Sequence, residues 1–160
     1  MNTAQLHLAL NHAPLFLCLL GGLMMIVSLI KKSGTLQTTA LVFLVAGGIT
    51  CIPVFLTGEG TEEMVEHLPG VNEATMERHE DMAKITLTVI SITAVAALGA
   101  LLLRGKQRIQ KIAAFTAMAL AFVSFGLMAQ TAHLGGMIRH SEIRNNAAAP
   151  DTGTAEDDDD

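Results

Sequence analysis

The sequence contains no tryptophan and no tyrosine, the residues that usually form the aromatic belts of membrane proteins. It has only two cysteines, Cys18 and Cys51, and neither belongs to a CxxC or CxxCH pattern. The missing motifs exclude covalent c-type haem attachment and a cysteine-ligated zinc finger. Because free cysteines are often buried for packing alone, we interpret both as core residues.

Charge is missing from four long apolar runs, residues 14–30, 39–57, 85–103 and 112–129, none of which contains Asp, Glu, Lys, Arg or His. Each is close to the ~20 residues that cross a bilayer as a helix. Short connections make consecutive helices antiparallel neighbours. The sequence therefore predicts an all-α polytopic membrane protein, an antiparallel four-helix transmembrane bundle over residues 1–144. The N-terminus lacks signal-peptide features, so we expect the first span to be retained.

Acidic residues are missing from the two loops that follow the first and third runs. These loops carry six of the ten Lys and Arg: Lys31, Lys32, Arg104, Lys106, Arg108 and Lys111. The positive-inside rule places both loops in the cytoplasm. We therefore expect a multi-pass protein of the bacterial inner membrane, with both termini and residues 58–84 in the periplasm.

The segments outside the membrane have their own signals. Asn72 is a candidate N-cap for the third spanning helix, with Glu73 in its first turn. Residues 61–67 form a candidate short acidic helix before it, which makes the periplasmic loop helical. Residues 145–160 are rich in Asp and end in a charge run, so we expect a flexible acidic tail that is separate from the bundle.

All six histidines lie at or beyond the outer end of a predicted span: His7, His12, His67, His79, His133 and His140. A single histidine at an interface is commonly only a polar residue at headgroup level. Six on one side favour a ligand site, because nothing comparable faces the cytoplasm.

Imidazoles from different helices at a membrane edge suit b-type haem, which two trans histidines hold without a covalent motif. The first candidate ligands lie nearest the bundle mouth on three helices: His12, His79 and His133. The second candidates lie farther out: His7, His67 and His140. Arg78 and Arg139 are candidates to pair with haem propionates. We predict one or two haems b and no catalytic residue.

Other chemistry remains open. The same imidazoles suit Zn²⁺ or Cu²⁺, and thioethers suit Cu⁺. The methionines near the histidines in the sequence are Met64, Met76, Met82 and Met137. A copper- or zinc-binding membrane protein, with metal at His12, His79 and His133, is therefore the alternative, and a structural anchor without cofactor is the third hypothesis.

Two motifs carry a family resemblance. The opening His7-Leu8-Ala9-Leu10-Asn11-His12-Ala13-Pro14 resembles the HPxxVHFP-like start of a bacterial four-helix predicted membrane domain of unknown function. Residues 131–140, TAHLGGMIRH, are similar to that family's TGHxGGxLVxxHG-like close, although Leu8, Ala13 and Ser141 depart from its pattern. The resemblance covers residues 7–140. It implies a cytochrome-associated membrane module, and so redox work.

The expected function is that of a membrane subunit that relays electrons between the quinone pool and a periplasmic c-type cytochrome. A non-catalytic electron-transfer or accessory subunit fits this chain better than an enzyme. We expect other membrane subunits as partners, within a larger respiratory or photosynthetic complex, and no nucleic acid. Burial among such subunits would account for the missing tryptophan and tyrosine.

Overall fold

The computed structural model describes residues 2–66 and 68–138, and this part of the chain forms five α-helices. They are α1 (Thr3–Leu10), α2 (His12–Lys31), α3 (Gly34–Val65), α4 (Glu73–Leu102) and α5 (Gln107–Met137). α1 and α2 are separated only at Asn11, and together they form one of four helical segments that are long and apolar enough to cross a membrane. The predicted all-α transmembrane bundle is confirmed.

The helix ends follow local side-chain chemistry. The predicted cap at Asn72 is confirmed, since its Oδ1 accepts a hydrogen bond of 2.8 Å from the backbone N–H of Thr75. Ser33 caps α3 in the same way, with the N–H of Leu36 donating to its Oγ over 3.4 Å. α2 ends at Lys32, whose backbone is left-handed with φ of 50°. Lys32 and Ser33 thus lie close to the predicted membrane surface, whereas Asn72 begins α4 well before its uncharged run.

Small residues bring the spanning helices close together. α2 packs against α3, α3 against α4 and α4 against α5, and contact between α2 and α5 closes the bundle. A Cβ added to Gly48 on α3 would lie only 2.5 Å from the Cβ of Ala94 on α4. Glycine at this position therefore lets two helix backbones approach closely. Cys18 and Cys51 are both buried in the core, as interpreted from the sequence.

Two pairs of hydroxyl groups join α4 to α5. The Oγ1 of Thr93 lies 3.0 Å from the Oγ of Ser124, and the Oγ1 of Thr86 lies 3.0 Å from the Oγ1 of Thr131. Two of the hydroxyls also donate to carbonyls of their own helices, Thr93 to Val89 over 2.9 Å and Thr131 to Leu127 over 2.8 Å. All four side chains thus satisfy their polar atoms inside an apolar interface, where an unpaired group is costly.

α3 is longer than predicted. The separate short helix expected over residues 61–67 is instead the end of α3, which runs without interruption to Val65. Gly58 and Gly60 do not end α3, because α1 packs on this extension. A Cβ on Gly60 would lie 2.9 Å from the Cγ2 of Thr3. Glycine has a low helix propensity, but here it allows α1 to pack closely on α3, and this packing compensates for the lost helix stability. The extension carries α3 beyond its apolar run and toward the histidines.

Candidate functional site

His79 lies in the first part of α4, outside the uncharged run of that helix, and it contacts α5. Its Nδ1 is 2.9 Å from the backbone carbonyl oxygen of Thr131. A carbonyl oxygen only accepts hydrogen bonds, so Nδ1 carries the proton and donates it. Gly135, one helical turn after Thr131, makes room for the ring, since a Cβ there would lie 3.0 Å from the Cε1 of His79.

His7 makes the same kind of contact from α1 to α3. Its Nδ1 lies 2.9 Å from the carbonyl oxygen of Val54 and 3.5 Å from the hydroxyl of Thr57. Gly58, one turn after Val54, faces the ring, and a Cβ there would lie 3.3 Å from the Cε1 of His7. Both imidazoles therefore pack over a glycine and donate Nδ1–H to a carbonyl of another helix.

The surroundings of His79 also shift its pKa. Burial lowers the pKa of His79, the hydrogen bond to the carbonyl of Thr131 raises it, and positive charge on His7 lowers it further. The net effect lowers the pKa of His79 and favours its neutral form, which is the form that ligates a metal. With Nδ1 occupied, the lone pair of each ring is on Nε2, the arrangement typical of histidine ligands.

The other candidate residues are placed differently. His12 at the start of α2 and His133 on α5 are both exposed, and so is Arg78. His67, Arg139 and His140 lie outside the described residues, as does the tail over residues 145–160. Among the described candidates, one histidine from the first group, His79, and one from the second, His7, each hydrogen-bond to a carbonyl of another helix.

An acidic surface lies beside this histidine pair. It surrounds a pocket of about 510 Å³ between the end of α3 and the start of α4. Its acidic members are Glu62, Glu66, Glu73, Glu77 and Glu80. Partial burial raises the pKa of Glu62, and the carboxylates of Glu80 and Glu66 raise it further. Lys84 offsets some of this charge through an ion pair of 2.8 Å with Glu80.

The donor set limits which cofactors fit. Among the described residues no group of three or more His, Cys, Asp or Glu side chains is arranged to hold a metal ion. A closed zinc site takes four ligands, whereas haem iron takes its four equatorial ligands from the porphyrin and needs only two from the protein. Two histidines on different helices with free Nε2 atoms therefore fit haem better than a protein-only zinc site.

The sequence alone did not identify the residues that contact the two imidazoles. These are Gly58, Gly135 and the two residues whose carbonyls accept from histidine. A signal was present for the glycines, since each lies near the polar end of a long helical segment, where glycine often marks a close approach. No sequence pattern indicates the carbonyls, because every residue has one.

Family models, characterised proteins and solved structures offer no match to this chain. The resemblance in the two histidine motifs therefore stays an expectation.

Proposed function

We propose that this protein is a membrane subunit that binds haem b noncovalently near its periplasmic face, with His7 and His79 as the residues that would hold the iron. In this role it relays electrons between the quinone pool and a periplasmic c-type cytochrome, within a larger complex. The observation that carries the proposal is the shared geometry of the two imidazoles, each fixed through Nδ1 to a helix carbonyl.

The hydrogen bonds would suit both rings to ligate haem iron through Nε2. A carbonyl acceptor at Nδ1 fixes the tautomer and the ring orientation and makes Nε2 more basic. Bound haem supplies a one-electron Fe(III)/Fe(II) couple at this position. The rings come from α1 and α4, so both halves of the chain contribute to one site. His12 and His133, being exposed, would be less suited to hold the group.

The acidic surface supports a periplasmic redox partner that carries positive charge. The carboxylates of Glu62, Glu66 and Glu73 line the pocket next to α4, the helix that carries His79. Complementary charge accelerates encounter and orients a partner, and this effect weakens as salt is added. A basic face of a small cytochrome is the surface that would dock here.

The test compares single alanine variants in the purified full-length protein. We expect dithionite-reduced minus oxidised spectra to show a b-type α band that His7→Ala and His79→Ala each abolish or convert to a high-spin form. The exposed histidines provide matched controls, and His12→Ala and His133→Ala should keep the band. Added imidazole should restore it in His79→Gly, which separates lost ligation from misfolding. A band that survives in His7→Ala but disappears in His12→Ala would refute the pairing.

Copper binding is the second candidate, and one contact favours it. The sulfur of Met64 lies 3.4 Å from the Oγ1 of Thr3, which is about one helical turn before His7 on α1. A thioether thus lies on the same side of α1 as a candidate imidazole, and this combination suits Cu⁺. A colourless purified protein with stoichiometric copper or zinc by elemental analysis would establish this function instead of haem binding. A protein with neither would leave the structural anchor.

A further inference from the structure

A second cavity lies at the opposite end of the bundle from the histidines. It is a cleft of about 490 Å³ between α2 and α5. Its lining changes from apolar to polar along its depth. The apolar side chains are Met25, Leu29, Ala114, Phe115 and Met118, and the polar ones are Ser28, Lys32, Ser33, Gln37, Gln110 and Lys111.

The charge of this cleft has one sign. Lys32 from the end of α2 and Lys111 from the first turns of α5 both line it, and no acidic side chain does. The two amides of Gln37 and Gln110 add hydrogen-bond donors beside the ammonium groups. The cleft therefore offers an anion two positive charges and further donors in one place.

The backbone at Lys32 adds an independent observation. Within the described residues it is the only non-glycine with positive φ, at 50°. A left-handed residue at a helix C-terminus is usually glycine, because a side chain there is strained. The sequence instead has at this position a lysine that lines the cleft. Strain that a glycine would remove is a sign that the side chain has a use.

The position of the cleft identifies the kind of anion. Lys32 follows the uncharged run 14–30 and Lys111 precedes the run 112–129, so both lie at the membrane surface. Met25, Phe115 and Met118 lie within those runs, at the depth of acyl chains. The lining thus changes from cationic to apolar across the headgroup boundary, in the same sense as a phospholipid changes from phosphate to hydrocarbon.

We propose that the cleft between α2 and α5 binds an anionic phospholipid, with its phosphate between Lys32 and Lys111 and an acyl chain along Met25 and Phe115. Basic pockets between transmembrane helices recognise anionic headgroups by this chemistry. The inference does not depend on haem binding, because the cleft is at the other end of the bundle.

The test measures the preference of the protein for phosphatidylglycerol over phosphatidylethanolamine, by native mass spectrometry after exchange in mixed-lipid nanodiscs. We expect the wild type to retain phosphatidylglycerol, and each of Lys32→Gln and Lys111→Gln to reduce the preference about fivefold. The control is the double variant Lys31→Gln/Arg108→Gln, which removes one charge from each of the same two helix ends outside the cleft, and so one charge more than either single variant. It should retain most of the preference.

Three results would overturn the proposal. A wild type without preference would show that the cleft holds no anionic lipid. An equal loss in the control would assign the preference to general surface charge. Copurification of a quinone at this site would assign the cleft to a different ligand. Circular dichroism of each variant keeps a folding defect distinct, and the two single lysine variants report independently.

Discussion

Replacement of Gly48 by alanine tests the closest helix contact in the bundle. The new Cβ would lie 2.5 Å from the Cβ of Ala94 and 3.4 Å from the carbonyl oxygen of Ile90. Favourable carbon contacts begin near ~3.5 Å, and the Cβ of Ala94 is fixed to the backbone, so no side-chain rotation relieves the overlap. α3 and α4 must therefore separate by about 1 Å.

The cost follows from two opposing effects. Overpacking of this kind costs about 1–3 kcal/mol, whereas replacing a helical glycine by alanine returns up to ~1 kcal/mol. We expect Gly48→Ala to destabilise the bundle by about 1–2 kcal/mol, as the difference of these two effects. Gly99→Ala is the matched control, because a Cβ at Gly99 meets no atom within 4 Å. That variant should be neutral or slightly stabilised.

Equilibrium unfolding by SDS in mixed micelles, followed by circular dichroism, measures the difference. The second-site variant Gly48→Ala/Ala94→Gly should recover most of the lost stability, since it removes the atom that the new methyl group meets. If Gly48→Ala unfolds at the same SDS fraction as Gly99→Ala, the close approach of α3 and α4 is wrong.

Two further predictions concern the histidine site and the topology. Gly135→Ala places a Cβ 3.0 Å from the Cε1 of His79, so we expect a displaced ring and a weakened or shifted haem band. Gly136→Ala is the control, because its Cβ would have no atom within 4 Å, and it should leave the spectrum unchanged. A reporter fused at Lys32 should report a cytoplasmic position, and reporters fused at Gly70 and at the C-terminus should report periplasmic positions. A cytoplasmic C-terminus would contradict the charge-based orientation.

The sequence was sufficient for the features that depend on local chemistry. Uncharged runs located the spanning helices because the hydrocarbon core of a bilayer disfavours charged side chains. Asn72 was recognisable as an N-cap from its side chain and from the acidic turn that follows. The length of α3 was not predictable in this way. Its glycines at positions 58 and 60 indicate a break locally, and only the packing of α1 makes them acceptable inside a helix.

The contacts of the histidines show a similar limit. Height above the membrane favoured His12 and His133, but height does not specify which way a side chain faces. His7 reaches α3 because α1 packs against the extension of that helix, and His79 reaches α5 through the interhelical contact at Thr131. Both outcomes depend on contacts between residues far apart in the sequence, and no spacing within a single helix encodes them.

The repeated arrangement of histidine over glycine has a consequence for how this sequence can change over time. The space above Gly135 is needed only while His79 fills it, and the same holds for Gly58 and His7. A related chain that has lost one of these histidines no longer needs glycine at the paired position. A related chain with a larger residue at the glycine position has no room for the imidazole. Among homologous chains the two positions of each pair should therefore vary together, and the pairs His7 with Gly58 and His79 with Gly135 should appear as coupled columns.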